Sequence, residues 1–395
     1  MATTASRAWT FSRRGSPSDV LSLTESRPIP AFPPEPALPE EWILVKVAFT
    51  GLNVGAIFQM TLIPAFLRNE TCIPEMDLSG VVQDVWHPHA KVNDGDGRNN
   101  ATEDASPVSP GGAESNTQTR FRKGDKIMAM LPASHALPTG TGALAEYVAI
   151  PARFAVHKPT SAPFADAAGC LLTGMTAHQQ IVESDIKPGD RVLVNAASGG
   201  IGTLVVQMAR QVVGSEGFVV GICSGRNTRL VESLGADETI DYIQYNDLPA
   251  YLASRFRSNP FNAVIDTLGH QSLYVHSPAY LVPTGTYSSV GIKPPDFSVP
   301  NFLRAVVQMK LNEWWPVSRW LGGIGRLWRG VSMMEPTLED RQRIADMLGG
   351  GQIRVVRDSV WSFEHVKEAY TKLGGLHASG KVLVRVDETV GDNEC

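Results

Sequence analysis

The stretch Ala196-Ala-Ser-Gly-Gly-Ile-Gly202 follows a short apolar run, Arg191-Val-Leu-Val-Asn195. Ala197, Gly199 and Gly202 take the three small-residue places of a G-x-G-x-x-G turn, with Ser198, Gly200 and Ile201 between them. Small residues there let the chain turn tightly, bring its backbone up to a pyrophosphate, and seat the next helix close on the strand. The N–H groups that open that helix then face the anion. A turn that needs only positive φ would also use glycines. The strand before it, helical spacing from Gly202 to Val213 and a second strand at Phe218–Cys223 select dinucleotide binding instead. At the end of that second strand an NAD site places Asp or Glu on the ribose 2′-hydroxyl. This chain has Ser224-Gly-Arg226-Asn227. A hydroxyl and a guanidinium bind a 2′-phosphate through charge-assisted hydrogen bonds, where a carboxylate would repel it. A solvated surface arginine is the plainer account of Arg226; its register favours NADPH.

The elements that must position these residues alternate. After the second strand come a helix from Thr228 to Leu234 and two more strands, Phe261–Asp266 and Gly285–Val290. Such alternation means crossover connections and a parallel sheet covered on both faces. The first 87 residues differ: β-branched runs at Trp42–Phe49 and Leu78–Val85, separated by proline-rich turns, read as a β-rich module. Arg7–Phe11 also reads as a strand. Residues 88–120 offer almost nothing to bury and are expected to be a disordered loop; with no secretory signal, the glycosylation sequon at Asn100 within it is expected to be an accidental match. β-signals resume from Phe121 to Val148 and return at Lys381–Val386.

The chain has 395 residues, and single cores stop growing at about 250–300, so two domains are expected. Hydrophobic residues make up 43% and charged residues 19%, an ordinary globular composition. A net charge of −5 argues against a nucleic-acid binder. Cys72, Cys170, Cys223 and Cys395 lie far apart, which suits neither a disulfide framework nor a zinc knuckle and fits a reducing, cytoplasmic setting. The N-terminus is basic and lacks the apolar core of a secretion signal. No run approaches the roughly 20 apolar residues of a membrane span.

Taken in order, these pieces resemble the zinc-independent medium-chain dehydrogenase/reductases, which include quinone oxidoreductases and enoyl reductases. The resemblance is carried by Ala197–Gly202, Ser224 with Arg226, and Leu234-Gly-Ala-Asp-Glu-Thr-Ile-Asp-Tyr242. Gly51-Leu-Asn53, Asp77-Leu-Ser-Gly80, Gly142–Tyr147, Thr173–Ala177, Asp266-Thr-Leu-Gly269 and Gly380–Val384 complete it, over nearly the whole chain except 88–120. It implies an α/β fold: a GroES-like β-rich substrate domain at 1–158, a Rossmann doubly wound parallel-sheet cofactor domain at 159–352, and a return to the first domain at 353–395. The active site would lie in the cleft between them. The resemblance further implies that Asn53 holds the ribose or nicotinamide side and Thr173 contacts the nicotinamide. Tyr242 would flank the adenosine phosphate or adenine, and the backbone at Leu268, Val290 and Gly291 would line the cofactor. An Asx turn is an equal account of Asn53, and a core position of Tyr242. Asp266 is expected to be structural.

The chain also departs from the family. Where zinc relatives carry a Gly-His-Glu-like segment it has Glu75-Met-Asp77, and the expected cysteine before Thr173 is Gly169, with Cys170 one register off as a small core residue. Zinc needs about four N or S ligands at close range, so no metal is expected; His87 and His89 could mimic a metal pair only at the mouth of the loop. Asn53-Val-Gly-Ala56 lacks the acid of the frequent Asn-x-x-Asp pattern, and no tyrosine follows shortly after Asn53 as a proton donor. Ser134 and His135, on the loop expected beside the substrate, stand in as candidates.

Without a Lewis acid, oxidising an alcohol is hard, whereas reducing an activated C=C or a quinone asks the protein for orientation and electrostatics. An NADPH-dependent, metal-free reductase of α,β-unsaturated carbonyls, enoyl compounds or quinones is therefore expected, acting on a small hydrophobic molecule. The alternatives are a relative of zinc alcohol dehydrogenases and a non-catalytic NADPH-binding scaffold. Residues 301–330 carry four Trp and five basic residues against one acid, Glu313. A broken amphipathic helix of that kind suits a weak peripheral membrane contact. A substrate lid or a homodimer contact suits it slightly better, with Trp314 and Trp315 lining an apolar pocket.

Overall fold

Apolar, β-branched runs with no polar alternation are the mark of strands buried on both faces. The computed structural model describes residues 5–33, 40–87, 120–296, 298–315, 322–331 and 335–395. In chain order its strands are β1 (Ala5–Thr10), β2 (Ser22–Pro28), β3 (Trp42–Gly51), β4 (Asp77–Trp86), β5 (Lys126–Met130), β6 (Tyr147–Pro151), β7 (Ala155–His157) and β8 (Arg191–Asn195). There follow β9 (Phe218–Cys223), β10 (Glu238–Asp241), β11 (Phe261–Asp266), β12 (Leu281–Ser289), β13 (Leu327–Gly330), β14 (Arg357–Ser362) and β15 (Lys381–Arg385). The helices are α1 (Pro17–Val20), α2 (Val54–Leu62), α3 (Ala133–Thr139), α4 (Phe164–Ala168), α5 (Leu171–Ser184) and α6 (Gly202–Val213). The rest are α7 (Thr228–Ser233), α8 (Leu248–Phe256), α9 (Gln271–His276), α10 (Val299–Trp314), α11 (Leu338–Gly349) and α12 (Val366–Gly374).

Six strands form a parallel sheet in the order β10-β9-β8-β11-β12-β13. Numbered along the chain these six read 3-2-1-4-5-6, the doubly wound order, with its switch point between β8 and β11. The period-2 geometry of β8 divides the core. Val192 and Val194 pack with α5, α6 and α11 on one face, and Leu193 packs with α8 and α9 on the other. A second sheet, mainly antiparallel, runs β14-β15-β3-β4-β5-β7, with β6 also paired to β3. The pairing of β15 with β3 brings the chain's end beside its beginning. The expected α/β class therefore holds.

Three expectations need correction. Between β5 and β6 the chain forms helix α3, so Ser134 and His135 are helical and not on a loop. Pro138 stands in the last turn, where it gives up one i→i−4 hydrogen bond, and Gly140 closes the helix at φ 70° with its N–H on the Ala136 carbonyl. Residues 301–330 are not one broken helix: α10 ends at Trp314, and β13 joins the parallel sheet beside β12, burying Trp328 in its core. Residues 88–119 of the expected loop, with His89 and Asn100, lie outside the described residues, as does Trp320. Arg120, the last residue assigned to that loop, is held by the Ala152 and Ala155 carbonyls. Among the described residues no helix is long and apolar enough to cross a membrane.

Candidate functional site

β8 ends at Asn195, Ala196 turns the chain at φ 54°, and α6 begins at Gly202. A Cβ on Gly202 would stand 2.1 Å from the Ala196 carbonyl oxygen, so the position admits only glycine without moving backbone. Ala197 is buried and its N–H reaches the Ile222 carbonyl of β9 at 2.9 Å. Gly199, Gly200 and Ile201 are half-buried at the mouth of the turn, and no side chain caps α6. The turn and the uncapped start of α6 together form a cradle of the kind an anion can occupy.

The C-terminal segment reaches this cradle. Gly380 bridges to Gly199 and gives its N–H to the Ser198 carbonyl at 2.9 Å. A Cβ on Gly200 would meet the Lys381 Cδ at 3.1 Å, so the Lys381 stem forms the floor of the turn.

Ser224, Arg226 and Asn227 gather at the end of β9. The Asn227 amide donates to the hydroxyls of Ser198 at 2.9 Å and Ser224 at 3.3 Å. Arg226 is exposed, with its guanidinium on the His377 carbonyl at 2.7 Å. The pairing of Asp241 with Cys223 puts Tyr242, itself exposed, at the same sheet end. Sequence reasoning missed Asp241, whose carboxylate lies against Gly225. Its oxygens accept from Ile243 and Gln244 of its own turn.

Across the switch point, Asp266 organises the facing loop. One oxygen accepts from Asn195 Nδ2 and the N–H groups of Leu268 and Gly269; the other accepts from His270 N–H and the Tyr287 hydroxyl. The Val290 N–H meets the Asp266 carbonyl, and Gly269 at φ 84° packs on Gly291. Leu268, Val290 and Gly291 are thereby brought together at the strand ends.

Beneath the cradle lies a buried polar cluster. Asn53 opens α2; its Nδ2 donates to the Gly51 carbonyl at 2.8 Å and to Glu75 Oε2 at 3.2 Å, and its Oδ1 accepts from Lys381 Nζ at 2.7 Å. Lys381 also holds the Leu52 carbonyl and stands 4.0 Å from Asp77. Asp77 accepts from the Leu172 N–H in the first turn of α5, where a negative charge suits the helix dipole. Thr173 is buried one residue further on, its hydroxyl donating to the Gly169 carbonyl. Burial pushes the Glu75 carboxyl up to about 7 and that of Asp77 up to about 6, and Lys381 pulls both back down. Burial also lowers Lys381 and raises the Cys170 thiol, which sits in the core.

Asn53 is thus linked through Lys381 to the turn at Gly200, and Thr173 stands next to the Leu172 N–H that Asp77 holds. Ser134 and His135 do not join them. With Arg153, Phe154 and Arg341 they line a separate cavity of about 310 Å³ at the start of α11. The His135 ring lies between Trp42 and Phe154, and burial lowers its pKa. Glu75, Asp77, Lys381 and Tyr370 were given no role from sequence; two acids in an apolar stretch were the available signal. The residues at this place do not fit a zinc ion. An amide, two carboxylates and an ammonium occupy it, and among the described residues no group of His, Cys, Asp and Glu side chains forms a metal-ligand set.

A family described as zinc-binding dehydrogenase matches residues 234–384. Over 98% of both chains the sequence is 31% identical to the trans-enoyl reductase pgmF of Aspergillus terreus. It is 29% identical to the medium chain reductase pydE of an Acremonium species, over 96% of this chain and 98% of that one. Among solved structures, the quinone oxidoreductase of Coxiella burnetii superposes with a TM-score of 0.68 at 22% identity, covering 97% of this chain and 99% of its own. A mycobacterial protein complexed with NADPH gives 0.68 at 20%, covering 97% and 100%. At these identities the two structures speak for the fold.

Proposed function

This chain belongs to the medium-chain dehydrogenase/reductase family and is an oxidoreductase, and from that premise we propose that it is an NADPH-dependent, metal-free reductase of C=C bonds conjugated to a carbonyl. The observation that carries this reading is the glycine cradle with Ser224 and Arg226 at its rim, built over a cluster that holds no thiolate–imidazole set. The trans-enoyl names of full-length relatives point to enoyl compounds, and quinones fall within the same chemistry. The division at 158/159 and 352/353 and a cytoplasmic location are parts of the same reading.

When bound, the dinucleotide supplies hydride. The chain's own residues do the rest. Ser198–Gly202 and the start of α6 hold the pyrophosphate, with the Lys381 stem below them. Ser224 and Arg226 take the 2′-phosphate, Tyr242 flanks the adenosine, and Leu268, Val290 and Gly291 line the nicotinamide side. Asn53 and Thr173 fix the cleft wall. The test is NADPH consumption over enoyl thioesters, alkenals and quinones, with metal analysis of the pure protein. Turnover of an enoyl substrate without zinc is expected. Silence across all three with NADPH bound would favour a scaffold, and stoichiometric zinc would favour the alcohol dehydrogenase alternative.

We assign α10 to a hydrophobic substrate or a second copy of the chain, not to a membrane. Phe302 meets Phe58 of α2 with ring centres 6.1 Å apart, on the helix that Asn53 opens. Trp314 and Trp315, expected to line a pocket, are instead 78% and 54% exposed, on a helix that also exposes Leu303, Val307 and Leu311. Changing both tryptophans to serine should lower turnover or abolish a dimer, while wild-type protein ignores anionic vesicles. Salt-sensitive vesicle binding by the wild type would refute this.

A further inference from the structure

Two serine hydroxyls at the rim of the cradle are only half satisfied. Ser198, in the turn after β8, and Ser224, at the end of β9, are each 9% exposed. Each oxygen accepts one hydrogen bond, and both bonds come from the same nitrogen, Asn227 Nδ2, at 2.9 and 3.3 Å. A hydroxyl also carries a proton to donate, and among the described residues no protein acceptor takes either one. Buried donors are ordinarily paired, so two left over side by side ask for an acceptor from outside the chain.

The amide that joins them is held from its other end. Asn227 Oδ1 accepts from the Ser379 hydroxyl at 2.9 Å, and the Ser379 N–H is fixed on Asp358 Oδ1 at 2.7 Å. The next residue, Gly380, ties the same segment to the Ser198 carbonyl. An amide has one donor end and one acceptor end. With Oδ1 on Ser379, its NH2 group faces the two serines, and neither hydroxyl can point its proton back at it. Turned over, the amide would offer its oxygen to both serines and capture their protons.

Resting on the NADPH reading above, we propose that Asn227 is a positioning residue for the 2′-phosphate: it turns the hydroxyl protons of Ser198 and Ser224 outward, so that both donate to that phosphate beside Arg226. Ser198 thereby serves two parts of the dinucleotide, the pyrophosphate with its backbone and the 2′-phosphate with its side chain. Asn227 touches neither cofactor nor substrate, because both of its amide protons are spent on the serines and its oxygen on Ser379.

The test is titration of full-length wild type and variants with NADPH and NADH, followed by cofactor fluorescence and arranged as a double-mutant cycle. Asn227→Ala should raise the NADPH dissociation constant about tenfold, the scale of two weakened hydrogen bonds, and the NADH constant less than about twofold. The pair Ser198→Ala and Ser224→Ala should raise the NADPH constant about tenfold or more. Adding Asn227→Ala to that pair should change nothing further, because nothing is left to position. Ser379→Ala lets the amide turn over and should raise the NADPH constant about threefold, only while the two serines are present. It carries the test if Asn227→Ala does not fold. An unchanged NADPH constant, losses that multiply when the variants are combined, or equal losses for NADPH and NADH would overturn the positioning role alone. Failure of wild-type protein to bind NADPH would overturn the proposed function and this inference with it.

Discussion

Replacing Lys381 with methionine should destabilise the protein by about 3–5 kcal/mol near pH 8, the scale on which breaking a buried ion pair strands its partner. The deficit should shrink toward about pH 5. Glu75 and Asp77 have ordinary values of 4.5 and 3.8 and are raised by burial to about 7 and 6 while Lys381 holds both down. Between the ordinary and the raised values the folded chain binds more protons than the unfolded one, so stability falls as pH rises. Without the ammonium both carboxyls rise further and that fall steepens. Urea unfolding of both proteins near pH 5 and pH 8 checks this; equal deficits at the two pH values would mean that Lys381 does not compensate the acids.

Arg226→Ala should raise the NADPH dissociation constant by about 10- to 150-fold, the equivalent of losing a charge-assisted contact worth about 1.5–3 kcal/mol. NADH has no 2′-phosphate and should bind almost unchanged. Arg226 rests on the His377 carbonyl, a neutral acceptor that a phosphate can outcompete. Isothermal titration with both dinucleotides decides the matter, and equal weakening of the two would show that Arg226 does not read the phosphate.

The parts of this site that a short stretch of chain encodes were legible in the sequence. Strand, small-residue turn and helix from Arg191 to Val213 follow one another directly, because a parallel strand buried on both faces must be apolar and a turn that tight must be small. The polar cluster was not legible. Asn53, Glu75, Asp77, Tyr370 and Lys381 come from both ends of the chain and meet only because β15 pairs with β3. Helix α3 escaped notice because Pro138 and Gly140 resemble a turn when the capping geometry is unseen, which misplaced Ser134 and His135. Strand β13 was hidden by its brevity and by the tryptophans around it; only its pairing with β12 shows why Trp328 is buried.

The central claim is hydride delivery from NADPH to an activated C=C bond. Its most direct test follows deuterium from NADPH labelled at both C4 positions into an enoyl thioester, with the metal-free protein and mass spectrometry of the product. The account predicts a saturated product carrying one deuterium at the β-carbon and a solvent proton at the α-carbon. Bound NADPH that is never consumed, or a product without the label, would contradict it.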